Sequence, residues 1–317
     1  MVDLSVIIVS YNTAELLRGC LRSVTDSLEY ATAVLPDACE IIVVDNASSD
    51  GSAAMVRAEF PQVEPIQNEA NVGFAVANNQ AIAKANGRYL LLLNPDTIVF
   101  RDTIPKLVAF LDSHPRVGMV TGMLLNPDGS FQHGSFRFPN LWMTFFDFFP
   151  LNHRLIASRL NGRYPRSAYR GPFEIDHPLG ACMLVRKEVV EHVGLLSEEF
   201  FMYCEEIDWC LRIKKAGWFI YCQPEAKIVH FVAQSTQQFR DRMFVELHRS
   251  RFRLFKKHYS ISFQRAAKGI VALGVGREML RVLRQKDAYR QGKLSNGEFR
   301  ARWQAYKDIF QIMRENA

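Results

Sequence analysis

The sequence lacks any apolar run long enough to cross a bilayer. Its most apolar loop candidate, Leu141–Leu151, falls far short of the roughly 20 residues a helical span needs. Met1 is followed by neither a basic stretch nor a long apolar one, so no export signal is expected. The six cysteines, at positions 20, 39, 182, 204, 210 and 222, form no Cys-x-x-Cys pair and no metal-knuckle spacing. Reduced thiols in a cytoplasmic protein are therefore expected. No Gly-x-Gly-x-x-Gly follows the first apolar run, and no Walker Gly-Lys-Ser/Thr occurs, which argues against dinucleotide and P-loop chemistry. No zinc-finger, RNA-recognition or helix-turn-helix signature is present, so no nucleic-acid partner is expected.

What is present is an ordinary globular composition with an uneven charge distribution. The 317 residues are 48% hydrophobic and 23% charged, enough for a substantial core. The net charge of +6 conceals a division: residues 236–317 carry 19 Lys and Arg against 7 Asp and Glu, whereas residues 1–235 carry 20 against 26. An acidic body bears a basic tail, suited to anionic lipid, a lipid-linked diphosphate or another anionic partner. We expect a catalytic domain over 1–235, divided into 1–125 and 126–235, followed by a basic helical extension over 236–317.

The first 125 residues alternate apolar runs with stretches of helical periodicity. Runs at 4–10, 40–45, 63–67, 89–93 and 117–125 read as strands. Helices are expected over about 13–28, 52–59, 75–86 and 103–113. Repeated strand–helix units in this order predict an α/β fold with a mainly parallel sheet. Three runs end in a polar residue and a turn: Ser10-Tyr11-Asn12, Asp45-Asn46-Ala47-Ser48-Ser49-Asp50-Gly51 and Asn94-Pro95-Asp96. In open α/β sheets ligands bind beyond such strand ends. Asp45 can accept from a pyrimidine imide N–H while the following helix amides favour anions; a plain turn capped by Asn and Asp is the alternative.

Asp96 carries a specific chemical expectation. A carboxylate just beyond a strand end can hold Mg²⁺ or Mn²⁺, a Lewis acid that neutralises charge on a bound anion. Such hard cations take oxygen ligands, and one or two carboxylates with substrate phosphates suffice. Helix capping is the other use for an aspartate here. Residues 126–178 hold the turn Asn126-Pro-Asp-Gly129 and many aromatics, with little regular structure expected. Gly180 and Ala181 open an apolar strand and are small enough for a ligand to approach the backbone closely. Beyond them, Glu205, Glu206 and Asp208 begin a helix among Phe200, Phe201, Tyr203 and Trp209. A carboxylate at the edge of an apolar pocket has its pKa raised toward general-base values. His230 ends another apolar run.

Together, Val9-Ser10-Tyr11-Asn12, Val43-Val44-Asp45-Asn46 with Asp50-Gly51-Ser52, Asn71-Val72-Gly73, Asn94-Pro95-Asp96, Glu205-Glu206-Ile207-Asp208-Trp209 and His230 resemble an inverting family-2 glycosyltransferase of GT-A fold. The likeness spans about residues 4–259 and points to the bacterial rhamnosyltransferase-like branch. It implies that Ser10 and Tyr11 line the base pocket, Asp45 binds a pyrimidine, and Asn71, Gly73 and Asn94 approach the nucleoside and diphosphate. Asp96 and His230 would hold Mg²⁺ or Mn²⁺, although Asn94 replaces the first carboxylate of the usual Asp-x-Asp. Ser235 would donate to phosphate. Glu206 would be the catalytic base, with Glu205 or Asp208 orienting acceptor hydroxyls and Gly180, Ala181 and Trp209 on the acceptor side. The implied donor is dTDP-rhamnose, or alternatively a UDP-sugar. The acceptor is a lipid-linked or polysaccharide glycan.

The tail mixes Phe244, Leu247, Phe252, Ile270, Leu273 and Leu280 with many Lys and Arg, a pattern suited to peripheral attachment at the anionic inner face of the cell membrane. A homodimer contact would give a similar pattern. Sugar nucleotidyltransferases are a rival enzyme class, but Tyr11-Asn-Thr-Ala-Glu15 is not their Gly-rich basic loop. A non-catalytic nucleotide-sugar-binding subunit is the other rival, and retention of Asp96, the Glu205–Asp208 acids and His230 argues against it.

Overall fold

The computed structural model describes residues 2–31, 34–35, 37–231, 240–284 and 296–315. Ser235 lies outside the described residues. Along the chain the first unit contains β1 (Val2–Ser10), α1 (Ala14–Tyr30), β2 (Ala38–Asp45), α2 (Ser52–Glu59), β3 (Val63–Gln67), α3 (Phe74–Lys84), β4 (Gly87–Leu93), β5 (Thr97–Val99), α4 (Thr103–Ser113) and β6 (Val117–Leu125). After β7 (Ser135–Phe136) come two segments of the second unit, α5 (Leu141–Phe148) and α6 (His153–Ile156). The first unit resumes with β8 (Phe173–Glu174), β9 (His177–Pro178), β10 (Cys182–Arg186), α7 (Lys187–Val193), α8 (Glu205–Lys215) and β11 (Phe219–His230). The helices α9 (Arg240–His258), α10 (Ile261–Arg284) and α11 (Asn296–Glu315) follow.

Among the described residues, nine strands form one sheet, ordered β3-β2-β1-β4-β10-β6-β11-β5 with β8 beside β11. The β3-β2-β1-β4 portion is parallel, β10 runs antiparallel between β4 and β6, and β11 is parallel to β6 but antiparallel to β5. The sheet is thus mixed, with its N-terminal half wholly parallel. Both faces are covered over β1, β2, β4 and β6, which explains why these strands read as apolar runs. Leu4, Val6, Ile8, Val43, Leu91 and Leu93 pack with α1 and α4 residues such as Leu17, Leu21, Leu107 and Leu111. The alternate residues Ile7, Ile42, Val44, Leu90, Leu92 and Met183 pack with Ala77 and Ala81 of α3, Val189 of α7 and Trp209 and Ile213 of α8. Truncating one of these fully buried leucines to Ala should cost about 2–5 kcal/mol.

Two compact units divide the chain: 1–138, 164–201 and 205–235 in one, and 139–163, 202–204 and 236–317 in the other. The second unit therefore takes in more than the basic tail. Its residues 139–163 hold α5 and α6 where little regular structure was expected. Asn140 caps α5, its side chain accepting from the Met143 amide at 3.0 Å. Within this unit α5 packs closely on α10: a Cβ on Gly274 would lie 2.1 Å from Phe148 Cγ, so no larger residue fits there unless the pair separates. Arg277 of α10 donates to the Phe148 carbonyl at 2.6 Å. The aromatic run is largely core, with Phe146 and Phe148 buried and Trp142 about half exposed.

Candidate functional site

Parallel pairing sets the polar strand ends level. Ser10 is in register with Asp45, and Ile8 with Leu93, so the three turns after β1, β2 and β4 emerge along one edge of the sheet. The first two are laced together. Asn12, at φ 52°, donates its amide to Ser48 Oγ at 3.0 Å and accepts from the Ser49 amide at 2.8 Å. Asp50 accepts from the amides of Ala14 at 2.8 Å and Ser52 at 3.1 Å, so one carboxylate caps both α1 and α2. Burial pushes the Asp50 carboxyl up, but hydrogen bonds from the Ser52 hydroxyl and the Ala14 and Ser52 amides hold it below the usual range.

Asp45 is buried, and its Oδ2 accepts from the Ser48 amide at 3.1 Å. Its Oδ1 is buried with no partner in the protein, an acceptor available to a ligand N–H. Ser10, also buried, shares a 2.9 Å hydrogen bond with Thr13, while Tyr11 is only partly covered. Asn46, to which the sequence reading gave no role, organises the next loop. Its Nδ2 donates to Asn71 Oδ1 at 2.9 Å and the Gly73 carbonyl at 3.2 Å, and its Oδ1 accepts from the Val72 amide at 3.1 Å. The signal was its place directly after a strand: an amide side chain can satisfy donors and acceptors of a neighbouring loop at once.

Gly73 could not be another residue. It has φ +89°, and a Cβ there would meet the Phe201 carbonyl oxygen at 2.5 Å. The adjoining Phe74 amide donates to that same oxygen at 2.8 Å. The Asn71–Gly73 loop is thereby tied to the segment that leads into the acidic cluster. Tyr203 and Cys204 then adopt φ 68° each before α8 begins. Two consecutive non-glycine residues in this region are costly and mark a tightly determined path.

The cluster divides by environment. Glu205 is 6% exposed, and its Oε2 has no hydrogen-bond partner. Burial, reinforced by the neighbouring Glu206 charge, pushes its carboxyl well above the usual range. Glu206 is half-buried and faces Gly180: a Cβ on that glycine would lie 3.7 Å from Glu206 Cγ. Asp208 and Trp209 do not sit as expected. Asp208 is fully buried and paired with Arg212 at 2.9 Å. Trp209 is fully buried in the core, its Nε1 donating to the Gly194 carbonyl at 2.9 Å. Arg212 also donates to the carbonyls of Val193 and Leu195, at 2.6 and 2.7 Å. Asp208 and Trp209 thus brace the 193–195 loop, and burial removes both from contact with an acceptor.

Asn94 lies beside Gly180–Ala181, its amide donating to the Ala181 carbonyl at 2.9 Å. Two residues on, Asp96 meets His230 because β5 pairs with the end of β11, Thr97 opposite His230. The Phe231 amide donates to the Asp96 carbonyl at 2.9 Å, and His230 Nε2 lies 3.5 Å from Asp96 Oδ1, with both side chains less than a tenth exposed. His230 Nδ1 is bonded to Gln132 Oε1 at 2.8 Å. Among the described residues no group of three or more His, Cys, Asp or Glu is placed to hold a metal ion. One carboxylate and one imidazole fit a divalent cation only if further oxygens come from a bound diphosphate or water.

Comparison with known proteins matches residues 5–194 to the model of glycosyl transferase family 2. The N-acetylglucosaminyl-diphospho-decaprenol L-rhamnosyltransferase of Mycobacterium tuberculosis is 28% identical over 249 residues, 74% of this chain and 77% of the relative. The rhamnosyltransferase WbbL of Escherichia coli is 27% identical over 202 residues, 60% of this chain and 72% of the relative. Among solved structures, a mannosyltransferase from Pyrobaculum calidifontis in complex with GDP-Man and Mn²⁺ superposes with a TM-score of 0.56 at 16% identity, covering 100% of this chain and 89% of that one. The GT-A-like α/β fold is shared at that distance.

Proposed function

Since the chain belongs to glycosyl transferase family 2, and so is a nucleotide-sugar-dependent glycosyltransferase, we propose that it transfers rhamnose from dTDP-rhamnose, with inversion, to a hydroxyl of a lipid-linked glycan. The observation that carries the catalytic part is a short path along adjoining strands. Glu206 faces Gly180, the next residue Ala181 accepts from Asn94, and Asn94 is two residues from Asp96. A base and a carboxylate for the cation thus stand at opposite ends of one small-residue floor.

Asp45 Oδ1 accepts from the pyrimidine imide, and Ser10 and Tyr11 border the base. The Asn71–Gly73 loop, held by Asn46, approaches the nucleoside and diphosphate. Glu206 takes the proton of the attacking acceptor hydroxyl, a contribution of about 100- to 10,000-fold. Glu205, buried with its carboxyl pushed up, supports α8 and the position of Glu206. Asp96 and His230 would hold Mg²⁺ or Mn²⁺, which as a Lewis acid would offset charge on the departing diphosphate. Rhamnose and a polyprenyl-diphosphate-linked N-acetylglucosamine acceptor are inferred from similarity to the mycobacterial relative.

A lipid-linked acceptor must be met at a membrane, yet no helix of the described residues is long and apolar enough to cross one. We place the exposed Leu273 and Leu280 of α10, with Arg265, Arg277, Arg281 and Arg284 on the same helix, against the anionic inner leaflet.

Thermal shift across a panel of nucleotide sugars tests the donor, because a ligand that binds only the folded state raises its stability. We expect dTDP-rhamnose to give the largest shift, ahead of UDP-sugars. Preference for GDP-mannose would contradict the pyrimidine site.

A further inference from the structure

We propose that Gln132 is a positioning residue that fixes the tautomer of His230, leaving Nε2 as a bare electron-pair donor beside Asp96. The inference rests on the reading of Asp96 and His230 as the cation site.

The turn Asn126-Pro-Asp-Gly129 starts a chain of hydrogen bonds. It is closed by the Asn126 amide donating to the Ser130 carbonyl at 2.8 Å and the Gly129 amide donating to the Asn126 carbonyl at 2.9 Å. Asp128 Oδ1 accepts from the Ser130 amide at 2.9 Å. This closed turn orients the Asn126 side chain, whose Nδ2 donates to Ser130 Oγ at 2.8 Å and reaches the Phe131 carbonyl at 3.4 Å. A carbonyl only accepts, so the nitrogen faces that way and Oδ1 faces Gln132.

Gln132 is determined in turn. Its Nε2 donates to Asn126 Oδ1 at 2.9 Å and to the His230 carbonyl at 3.2 Å. Both partners can only accept, so rotating the amide would set oxygen against two oxygens. Gln132 Oε1 is therefore the atom 2.8 Å from His230 Nδ1, and being an acceptor it requires that Nδ1 carry the hydrogen. A neutral imidazole with hydrogen on Nδ1 has its lone pair on Nε2. That lone pair lies 3.5 Å from Asp96 Oδ1, itself an electron-pair donor, in a pocket where both side chains are nearly buried. Two facing lone pairs are the donor set a cation requires. A metal-bound histidine is commonly oriented in this way by a partner on its other nitrogen. Four links lead from a surface turn to the cation site: the closed turn, Asn126, Gln132 and His230.

The test compares Gln132→Met, which keeps the length but removes the acceptor, with Gln132→Glu, which keeps an acceptor facing Nδ1 while giving up the bonds to Asn126 Oδ1 and the His230 carbonyl. The first readout needs no metal: ¹⁵N-histidine-labelled full-length protein, above the ordinary imidazole pKa, with the His230 signal identified by its loss in His230→Asn. Wild type and Q132E should show hydrogen on Nδ1, and Q132M a mixture of tautomers. The second readout is Mn²⁺ binding in the presence of dTDP, followed by electron paramagnetic resonance. Q132M should bind about 10- to 100-fold more weakly than wild type. An unchanged tautomer in Q132M, or an unchanged Mn²⁺ affinity once its tautomer is mixed, overturns the role of Gln132. Absence of Mn²⁺ binding in the wild type, with the Nδ1 tautomer intact, instead refutes the cation reading.

Discussion

Glu205 and Glu206 are adjacent and chemically alike, yet their surroundings give them different work. Glu205→Gln removes a carboxyl whose proton the fold binds more tightly than the unfolded chain does. A raised folded pKa means that stability falls as pH rises from the ordinary carboxylate value toward the raised one. Glu205→Gln should therefore raise the melting temperature near neutral pH and give no gain below about pH 4; calorimetric melts at both pH values check this. For the donor, Asp45→Ala should weaken dTDP binding by roughly 0.5–3 kcal/mol, read by titration calorimetry, as one buried hydrogen bond is lost. Unchanged affinity would remove Asp45 from the base pocket.

At the scale of elements, β1, β2, β4 and β6 were legible because each is largely buried on both faces and so spells out an apolar run, whereas β3 and β11 bury only part of their residues. The ends of those runs located Ser10, Asp45 and Asp96 for the same reason. Trp209 misled because an aromatic beside acids resembles a pocket edge, whereas Glu205, Trp209 and Ile213 recur every four residues and are all buried on α8. That spacing was in the sequence and was outweighed by the chemistry of its neighbours. The Gln132–His230 bond was illegible: it spans 98 positions and follows from the register of β11 on β6, which no local pattern specifies. Helix α10 carries the element-scale prediction. Leu273 is 71% and Leu280 58% exposed, and replacing both with Ser should release the protein from phosphatidylglycerol vesicles in a flotation assay without altering its fold. Binding by wild type should also fade at high salt. A protein that ignores such vesicles and instead dimerises through this stripe would contradict the membrane reading.

Across the whole molecule, each unit buries a neutral histidine. Burial pushes His177 in the first unit and His248 in the second down to about 4. Above about pH 6.5 both folded and unfolded forms are neutral, and neither histidine affects stability. As pH falls below that, the unfolded chain takes up protons that the folded units refuse until about pH 4, so stability declines through this window. The loss should reach roughly 3 kcal/mol per histidine. His177→Gln and His248→Gln should each flatten the decline in denaturant midpoints measured between pH 7 and pH 4.

The central claim is that Glu206 removes the acceptor proton at a site whose donor half is built separately. Its most direct measurement is turnover with dTDP-rhamnose, Mn²⁺ and a polyprenyl-diphosphate N-acetylglucosamine acceptor, alongside calorimetric dTDP affinity, for Glu206→Gln and Glu205→Gln. We expect Glu206→Gln to depress turnover about 100-fold or more with dTDP affinity unchanged, and Glu205→Gln to retain most of the activity. Full turnover in Glu206→Gln, or a loss carried wholly by Glu205→Gln, would contradict the account.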